Sequence, residues 1–472
     1  MDYYPVSASH SAAVIEFWNV TPHLETSLEI YRKTRELSSN KVLYYHWGKN
    51  IRVNQCYIKK NRDIEAEGIK LIEPQIGADI IRQWENTFVQ RKHLAERLCI
   101  TDISPDGLRD GVSPLEGIID YRVVYSALID ITRCSIPACT EQTLNIARNI
   151  VIDMINVFSS TLELIRHEEI DQVILFNGRF HYVHAAYMAA KREGCKTLFH
   201  ERSAVLSKYI LWQTPVHNSF YKYELYQRLS RNIKIEVAME EGQRWVEKRI
   251  KGIPTTWYSF TKSQIAGYLP KSFNERNMNI VMFLGSEYEI AYGVDDRLMT
   301  RPVWNSQVSA LTDLIWAFSQ LNCSKRLYIR LHPHMCDLPK SESERFNMYS
   351  ELPNVEVIAN DSSVDTYTLL GASNIRIVYS STVGLEGALL GHPCLYMGAP
   401  PYQMFNCAKR VTDPYSLLEC LKHDPFNDED YVLYKQNASR YVCSMLRDGY
   451  DYEIYKPHSL ASGAIMGKDL NG

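Results

Sequence analysis

The stretch from Asn374 to Gly398 reads NIRIVYSSTVGLEGALLGHPCLYMG and sets the expectation for the fold of the chain. Ile375 to Tyr379 is a short apolar run rich in β-branched residues, which predicts a buried strand. Val383 to Leu390 predicts a helix of about two turns, stopped by a Gly and a Pro. Cys394 to Met397 predicts the next strand, so the whole stretch is a β-turn-α-turn-β unit.

The turn Ser380-Ser381-Thr382 carries the chemistry of this unit. Its hydroxyls and the free backbone N–H groups of the helix start point outward from the carboxyl end of the strand, which suits a phosphate or diphosphate. Glu386 lies one helical turn past Thr382, so it can face the same pocket and accept a hydrogen bond from a ribose or sugar hydroxyl. An ordinary capped helix with a solvated Glu explains these residues equally well.

Length and composition place the chain among globular enzymes and binding proteins. A chain of 472 residues is too long for one core, so two or three domains are expected. The net charge of −3 gives no overall basic field, so nucleic acid is not expected as the main partner. Eleven cysteines without a CxxC pair or zinc-ligand spacing are typical of buried thiols in a reducing compartment.

The N-terminal sequence and the hydropathy pattern predict a cytoplasmic protein. The first residues, MDYYPVSASHSAAVIEFW, lack the basic region and long apolar core of a signal peptide. No run of about eighteen apolar residues occurs, so no membrane-spanning segment is expected. Membrane contact is therefore expected to be peripheral at most, at the inner face of the cytoplasmic membrane.

The first half of the chain alternates short apolar runs with amphipathic segments, which predicts a parallel sheet with helices on its faces. The predicted strands are 12–18, 41–45, 173–176 and 197–200. The predicted helices are 24–37, 182–193 and 141–169, the last as one long amphipathic helix or two. Residues 49–140 show no clear pattern and predict irregular α/β structure.

Polar and charged side chains occur where these predicted strands end. Because the carboxyl ends of parallel strands meet at one edge of a sheet, where open α/β sheets bind ligands, we expect these side chains to lie close together. Two neighbouring strands with such endings favour a binding edge, although a structural role explains His23 equally well. The candidates at this edge are His23, Glu25, Asn177, Arg179, Glu201 and Arg202.

The turn-rich segment 252–279 marks the predicted boundary between two doubly wound domains. We expect an N-terminal acceptor-side domain over 1–270, a C-terminal nucleotide-sugar-binding domain over 271–440 and a tail over 441–472. The βα alternation repeats in the second domain, which has predicted strands at 279–284, 326–331 and 355–358 before the opening stretch.

Three strand ends of the second domain carry candidate ligands for a nucleotide phosphate. His332, as a cation or hydrogen-bond donor, would offset the charge of the leaving phosphate, and Pro333 fixes the turn that aims it. No DxD motif stands out near a strand end, so neither a metal nor another cofactor is expected. The predicted donor site comprises Ser286, Glu287, Arg330, His332, Ser380, Ser381, Thr382 and Glu386.

Taken in order, these motifs resemble bacterial capsule and surface-polysaccharide biosynthesis glycosyltransferases of the GT-B type. The matching pieces are LFNGR at 175–179, HER at 200–202, FLGSEYE at 283–289, RLHPH at 330–334 and YSSTVGLEGALLGHP at 379–393. The His-Pro pair and the Ser-Ser turn are also similar to those of bacterial transferases that use CMP-activated acidic sugars.

The resemblance implies a GT-B-like α/β fold, with two Rossmann-like parallel-sheet domains facing across a cleft. It implies transfer of a sugar from a nucleotide-sugar donor to a glycan acceptor, which in such enzymes is often lipid-linked. In that comparison His332, Ser380 and Ser381 bind the nucleotide phosphate, and Glu386 contacts the ribose.

The catalytic group is not assigned by the resemblance, because the first domain has no clear Asp/Glu-Asp/Glu-Gly motif at the acid/base position. His23 and Glu201 are the catalytic candidates, with His23 ahead because an imidazole titrates near neutral pH. Arg202 favours the ionised carboxylate of Glu201, which suits an electrostatic or nucleophilic role. The other functions left open are transfer of a polyol phosphate from a CDP-alditol, epimerisation of a sugar nucleotide, and noncatalytic nucleotide-sugar binding.

Overall fold

The computed structural model of the chain describes residues 4–6, 9–18, 22–46, 81–83, 119–134, 140–253, 261, 263–285, 303–304, 306–322, 324–333, 335, 338–460, 462–465 and 468–470. They form two compact units. The first unit comprises Met1–Thr132, Pro137–Asn218 and Asp448–Gly472, and the second comprises Arg133–Ile136 and Ser219–Arg447.

Helices and strands alternate through both units. The strands are β1 (Ala12–Glu16), β2 (Val42–His46), β3 (Ile81–Gln83), β4 (Gln172–Phe176), β5 (Lys196–Arg202), β6 (Lys208–Trp212), β7 (Met278–Phe283), β8 (Lys325–Arg330), β9 (Val355–Ile358), β10 (Ile375–Val378), β11 (Leu395–Tyr396), β12 (Lys409–Arg410), β13 (Tyr450–Asp451), β14 (Tyr455–Pro457), β15 (Gly463–Ile465) and β16 (Lys468–Leu470). The α-helices are α1 (His23–Leu37), α2 (Tyr121–Thr132), α3 (Glu141–Glu168), α4 (His181–Arg192), α5 (Ser219–Ser230), α6 (Ile235–Ile250), α7 (Gln307–Ser319), α8 (Lys340–Asn347), α9 (Thr366–Ala372), α10 (Val383–Leu389), α11 (Pro414–Lys422) and α12 (Asp428–Arg447).

The main sheet of the first unit has the strand order β13-β6-β5-β4-β1-β2-β3. From β3 to β5 all neighbouring strands are parallel, whereas β6 and β13 extend the sheet in antiparallel fashion. The chain reverses its direction of travel across the sheet between β1 and β4, which pair from Ala12 opposite Gln172 to Ile15 opposite Leu175. This reversal is a topological switch point, where doubly wound sheets bind ligands.

The central strands of this sheet are fully buried, as their near-continuous apolar sequences predict for strands covered by helices on both faces. The long helix α3 begins where Thr140 accepts a hydrogen bond from the Thr143 amide at 3.2 Å. It ends at Glu169, which adopts a left-handed conformation with φ of 52°. α3 packs on α4, so the helix that follows β4 is held against the sheet.

The sheet of the second unit is parallel throughout, with the order β12-β11-β10-β7-β8-β9. When the strands are numbered from β7 in chain order and read from the β9 edge, the order is 3-2-1-4-5-6, the Rossmann order. Its switch point lies between β7 and β10, which pair from Ile280 opposite Ile375 to Phe283 opposite Val378. The predicted fold class, α/β with two doubly wound, largely parallel sheets, is thus confirmed.

The unit boundaries differ from those predicted. α5 and α6 belong to the second unit, because they pack on α12: the rings of Tyr226 and Tyr441 lie 5.3 Å apart, and a Cβ at Gly242 would lie 3.1 Å from Ser439 Oγ. The chain from Asp448 onward belongs to the first unit, because β13 pairs with β6. The predicted boundary followed turn-forming composition, whereas the structural one follows the apolar faces of these helices.

The last strands, β14, β15 and β16, form a small antiparallel sheet of their own. No helix in the described part of the chain is long and apolar enough to cross a membrane.

Candidate functional site

In the second unit, the switch point brings together two of the predicted ligand turns. β7 and β10 end side by side, and the Tyr379 amide extends their pairing by donating to the Phe283 carbonyl at 3.2 Å. The Gly285 amide is fixed by a 2.7 Å hydrogen bond to the buried side chain of Gln307, the first residue of α7. Ser380 therefore follows β10 at the edge where Gly285 follows β7. Ser286 and Glu287, also predicted for this site, lie outside the described residues.

The hydroxyl turn after β10 is held by hydrogen bonds from the protein. Ser380 Oγ accepts from the Ala399 amide at 2.8 Å, and Ser381 Oγ accepts from the Val383 amide at 3.3 Å. The helix-start amide is thus bound by Ser381, whereas Thr382 makes no side-chain cap. Each serine hydroxyl keeps its own proton, so it can still donate to a ligand oxygen.

Two glycines allow the close packing around this turn. Tyr402 donates its hydroxyl proton to the Ser381 carbonyl at 2.7 Å, and a Cβ at Gly384 would lie 2.1 Å from that hydroxyl oxygen. A Cβ at Gly398 would lie 2.3 Å from Ser380 Oγ. Only glycine fits at either position, so the serine turn has a single, well-supported conformation.

Glu386 is buried and fully engaged inside the second unit, with 2% of its side chain exposed. Arg249 donates from Nε and approaches with Nη2, each 3.0 Å from Oε1, and the Tyr367 hydroxyl donates to Oε2 at 3.0 Å. Thr382 Oγ1 lies 3.5 Å from Oε1. A contact between Glu386 and a ribose hydroxyl stays a prediction.

Arg330 and His332 differ in their access to the same edge. Arg330 is buried and donates to two backbone carbonyls of the loop after β9, Ala359 at 2.5 Å and Ser362 at 3.3 Å. Burial lowers its pKa to about 10, so it remains a cation that holds this loop. His332 is half-buried two residues past the end of β8, next to β7 in the sheet, and its carbonyl accepts from the Met335 amide at 2.8 Å.

In the first unit, the sheet edge brings His23, Asn177 and Glu201 together. Glu201 lies near the end of β5, where Asn177 Nδ2 donates to its Oε2 at 2.8 Å. His23 is the first residue of α1, and its Nδ1 lies 3.6 Å from Glu201 Oε1. The Arg202 amide donates to Oε1 at 3.0 Å, and its guanidinium Nε lies 4.0 Å from the same oxygen.

The Asn177-Gly178 turn aims the asparagine at this cluster. Asn177 has φ of 57° and Gly178 has φ of 88°, so both residues are in the left-handed region. A Cβ at Gly178 would lie 2.8 Å from Pro215 and 3.0 Å from the Phe199 ring, so a side chain there would meet both. Asn177 Oδ1 accepts from the Arg179 amide at 3.2 Å, which orients its Nδ2 toward Glu201.

His23 is enclosed by aromatic rings. Its ring centroid lies 4.2 Å from that of Phe176 and 5.7 Å from that of Trp18. Burial lowers the pKa of His23 well below its ordinary value, and the Arg202 cation lowers it further. The imidazole is therefore neutral at neutral pH, the form that can accept a proton.

Sequence reasoning missed a buried pair at the same edge, Glu16 and His200. Glu16 Oε1 accepts from the amides of Phe17 and Trp18 at 2.8 Å each, and its Oε2 lies 3.6 Å from His200 Nε2. Burial raises the pKa of Glu16 to about 8 and lowers that of His200 to about 3, so both are neutral at pH 7. An acidic residue ending the apolar run AAVIE was the available signal.

Two other acidic positions are Glu25 and a Glu-Glu-Gly sequence. Glu25, predicted for the acceptor side, is 2% exposed in the first turn of α1. A Glu-Glu-Gly sequence does occur within the predicted first domain, at Glu240-Glu241-Gly242, but it lies in α6 of the second unit, where Glu241 forms an ion pair with Arg447. A Cβ at Gly242 would lie 2.8 Å from Leu389 and 3.1 Å from Ser439, so the glycine of this sequence has a packing role in the second unit.

Comparisons with known proteins give matches among solved structures alone. No protein-family model and no curated protein matches the chain. Similar structures include the KpsC beta Kdo 2,4 transferase of Thermosulfurimonas dismutans, at 15% identity over 58% of this chain and 79% of that one, with a TM-score of 0.37. They also include S. aureus MnaA with UDP, at 10% identity over 72% and 90% of the two chains, with a TM-score of 0.30.

A third similar structure is the UDP-GlcNAc 2-epimerase of Neisseria meningitidis bound to UDP-GlcNAc, at 11% identity. It covers 93% of this chain and 99% of that one, with a TM-score of 0.29. At these TM-scores the likeness assigns no residue and no activity to this chain. Among the residues that the structure describes, no group of three or more His, Cys, Asp and Glu side chains could hold a metal ion.

Proposed function

We propose that the protein is a glycosyltransferase of the GT-B type that moves a sugar from a nucleotide-activated donor to a growing bacterial surface glycan. One observation carries this proposal. The Rossmann-ordered sheet of the second unit has the Gly285 turn and the Ser380 turn at its switch point, and His332 follows the neighbouring strand.

The chemistry of the second edge suits a ligand that brings its own negative charge. Ser380 and Ser381 offer hydroxyl protons, and His332 offers an imidazole that can donate to a phosphate oxygen. Arg249 and Glu386 neutralise each other, so they add no net charge there. Donation to the leaving phosphate would lower the barrier to breaking the bond between the sugar and the nucleotide.

The chemistry of the first edge suits removal of a proton from an acceptor hydroxyl. His23 is neutral, and its Nδ1 faces Glu201 at 3.6 Å. In the proposed step, Nε2 takes the hydroxyl proton, the acceptor oxygen bonds to the anomeric carbon, and the electron pair of the broken bond stays on the nucleotide phosphate. The Glu201 carboxylate stabilises the resulting imidazolium, and Asn177 holds that carboxylate in place.

The acceptor is proposed to be a glycan, lipid-linked as in many enzymes of this kind. The reaction would then take place at the inner face of the cytoplasmic membrane, with peripheral contact between the protein and the lipid surface. The proposed partners are thus a nucleotide sugar and a glycan, and neither nucleic acid nor a resident cofactor is required.

The experiment that tests this function is a donor panel. The full chain is incubated with UDP-, GDP- and CMP-sugars and CDP-alditols, with and without a chelator, and the released nucleotide and altered sugar are quantified. Release of UDP, GDP or CMP that depends on a glycan acceptor supports glycosyl transfer. CMP released from a CDP-alditol would indicate phosphotransfer instead, altered sugar without nucleotide release would indicate epimerisation, and binding without turnover would indicate a binding module.

A further inference from the structure

We infer that Tyr452, in the C-terminal segment 448–457, is a positioning residue for His23 in the first unit. The segment was predicted as part of a separate tail, yet it is bound to the helix that begins with His23. The inference deepens the proposed function, because it concerns the group proposed to take the acceptor proton.

The segment lies along one face of α1. Thr26, Glu29 and Lys33 are spaced three and four residues apart, so they share that face. The Tyr452 hydroxyl lies 2.7 Å from Thr26 Oγ1, and Lys33 Nζ pairs with Glu453 at 2.8 Å. With the contact of Glu29, which is described next, three contacts are distributed over the helix from its first turn to its third.

Glu29 forms the firmest of these contacts. Its carboxylate is 1% exposed and accepts backbone N–H groups from three consecutive residues at 2.9, 2.9 and 3.2 Å, namely Glu453, Ile454 and Tyr455. Charge-assisted bonds of this kind are about twice as strong as neutral ones. The residues directly after Tyr452 are thus fixed on α1, which leaves little freedom for the Tyr452 side chain.

The direction of the Tyr452 bond follows from counting protons. Thr26 has one hydroxyl proton and donates it to the Pro22 carbonyl at 2.7 Å. Tyr452 must therefore be the donor in its bond to Thr26. Donation into the threonine oxygen strengthens the bond that this hydroxyl makes onward to Pro22.

Pro22 is the residue directly before His23. It precedes α1 without a side-chain cap, so its carbonyl is held by the amide and the hydroxyl of Thr26, at 2.9 and 2.7 Å. The chain of bonds from Tyr452 through Thr26 ends at the peptide unit that carries His23. Because His23 Nδ1 faces Glu201 at 3.6 Å, a shift of the helix start would change that spacing directly.

The surroundings of Tyr452 keep its hydroxyl protonated. Burial raises the pKa of Tyr452 well above its ordinary value, and the Glu201 carboxylate is among the charges that add to the rise. Its ring packs 5.2 Å from Tyr209 and 5.1 Å from Tyr455. The hydroxyl is thus neutral and permanently available as a donor to Thr26.

The test uses Tyr452→Phe, Thr26→Val and the double variant of the full chain, with Tyr455→Phe as the matched control. Tyr455 lies on the same segment, but its hydroxyl bonds to the Ser462 carbonyl at 3.4 Å rather than to Thr26. The first readout is the NMR titration of the His23 imidazole, assigned with a His23→Gln variant. The second is turnover on an active donor, measured beside nucleotide binding.

We expect Tyr452→Phe and Thr26→Val each to move the His23 pKa upward, toward its ordinary value, as the enclosure of the ring loosens. The double variant should shift it no further than Thr26→Val alone, because both remove one chain of bonds. Turnover should fall roughly three- to tenfold, with nucleotide affinity within twofold of the parent. Tyr455→Phe should leave both quantities unchanged.

An unchanged His23 titration in both single variants overturns the inference, as does an equal shift in Tyr455→Phe. The NMR readout needs no substrate, so it decides this inference even if no donor is turned over. Failure of the donor panel with a positive NMR result would count against the proposed reaction and leave the positioning role standing.

Discussion

The two units share the order of their central strands, yet the edges at their switch points carry opposite chemistry. At the first edge, ionisable side chains are buried without a full counter-charge, including His23 and the Glu16–His200 pair. At the second edge, the Ser380-Ser381 turn offers hydroxyls packed among glycines, while the ionisable Arg249–Glu386 pair is closed on itself.

In the proposed reaction, one topology would serve two tasks. The strand order determines where a site lies, and the side chains at that edge determine what the site does. Proton transfer requires groups whose protonation is set by burial, and the first edge provides them. Holding a phosphate requires hydrogen-bond donors whose charge partner arrives with the ligand, and the second edge provides those.

The largest effect is expected from changing the first edge. His23→Gln and Glu201→Gln should each reduce turnover by about 100- to 10,000-fold, because proton transfer loses its acceptor or the acceptor loses its counter-charge. Nucleotide affinity should stay within about threefold of the parent, because the phosphate ligands belong to the second unit. Steady-state kinetics and nucleotide titration measure the two quantities.

His167→Gln is the control for these variants, since His167 is 78% exposed and pairs with Glu168 alone among the carboxylates described. Full activity in both test variants would break the division of tasks between the two edges. A loss of nucleotide affinity as large as the loss of turnover would break it as well.

The second effect concerns stability at the other edge. Arg249→Met should lower the free energy of unfolding by about 3 kcal/mol, because it leaves the Glu386 carboxylate buried without its cation. Arg244→Met on the same helix is the matched control, since its 3.2 Å pair with Glu240 is exposed and worth at most about 1 kcal/mol. Urea denaturation measures both. Equal losses in the two variants would show that the Arg249–Glu386 pair is not the closed unit described above.

The sequence predicted the framework better than it predicted the sites. Apolar runs fixed most of the paired strands to within a residue or two, because burial on both faces leaves a clear signal. The sequence also predicted that His23, Asn177 and Glu201 lie at one edge, since polar residues that follow parallel strands meet there. Short elements such as β13 were missed, because two residues carry no periodicity.

Side-chain partners from distant parts of the chain could not be predicted from the sequence. Nothing in the residues near Glu386 indicates that Arg249, 137 positions earlier, occupies its carboxylate. Nothing near Thr26 indicates Tyr452, 426 positions later. Such contacts depend on how helices pack, which local patterns do not encode.

A third, smaller effect tests the burial of charge at the first edge through pH. Glu16 has a folded-state pKa of about 8, raised from 4.5 by burial, so its stabilising contribution is full below pH 4.5 and is lost as pH rises through 8. Glutamine keeps the acceptor oxygen for the Phe17 and Trp18 amides but cannot ionise. Glu16→Gln should therefore gain stability relative to the parent as pH rises from 5 to 8, by at most about 1.4 kcal/mol per pH unit.

Thermal unfolding across this pH range measures that difference. Glu36→Gln is the control, because Glu36 is half-exposed on the same unit and pairs with Arg32 at the surface. A pH profile of Glu16→Gln that runs parallel to that of the parent would mean that Glu16 is ionised in the folded protein. The first edge would then resemble the second, with its charges compensated.

The smallest effect asks whether His332 gives the second edge a charge or only a donor. His332→Ala should weaken nucleotide binding and turnover by at least tenfold, about 1.4 kcal/mol, because the phosphate loses a hydrogen bond from the imidazole. His332→Gln separates the two roles, since an amide donates a hydrogen bond but carries no charge. Recovery of most of the affinity in His332→Gln would support an edge made of neutral donors. If His332→Gln binds nucleotide as weakly as His332→Ala, the second edge contains a cation. If both variants bind nucleotide as tightly as the parent, His332 is not part of that edge. His423→Ala, an exposed histidine after α11, serves as the control.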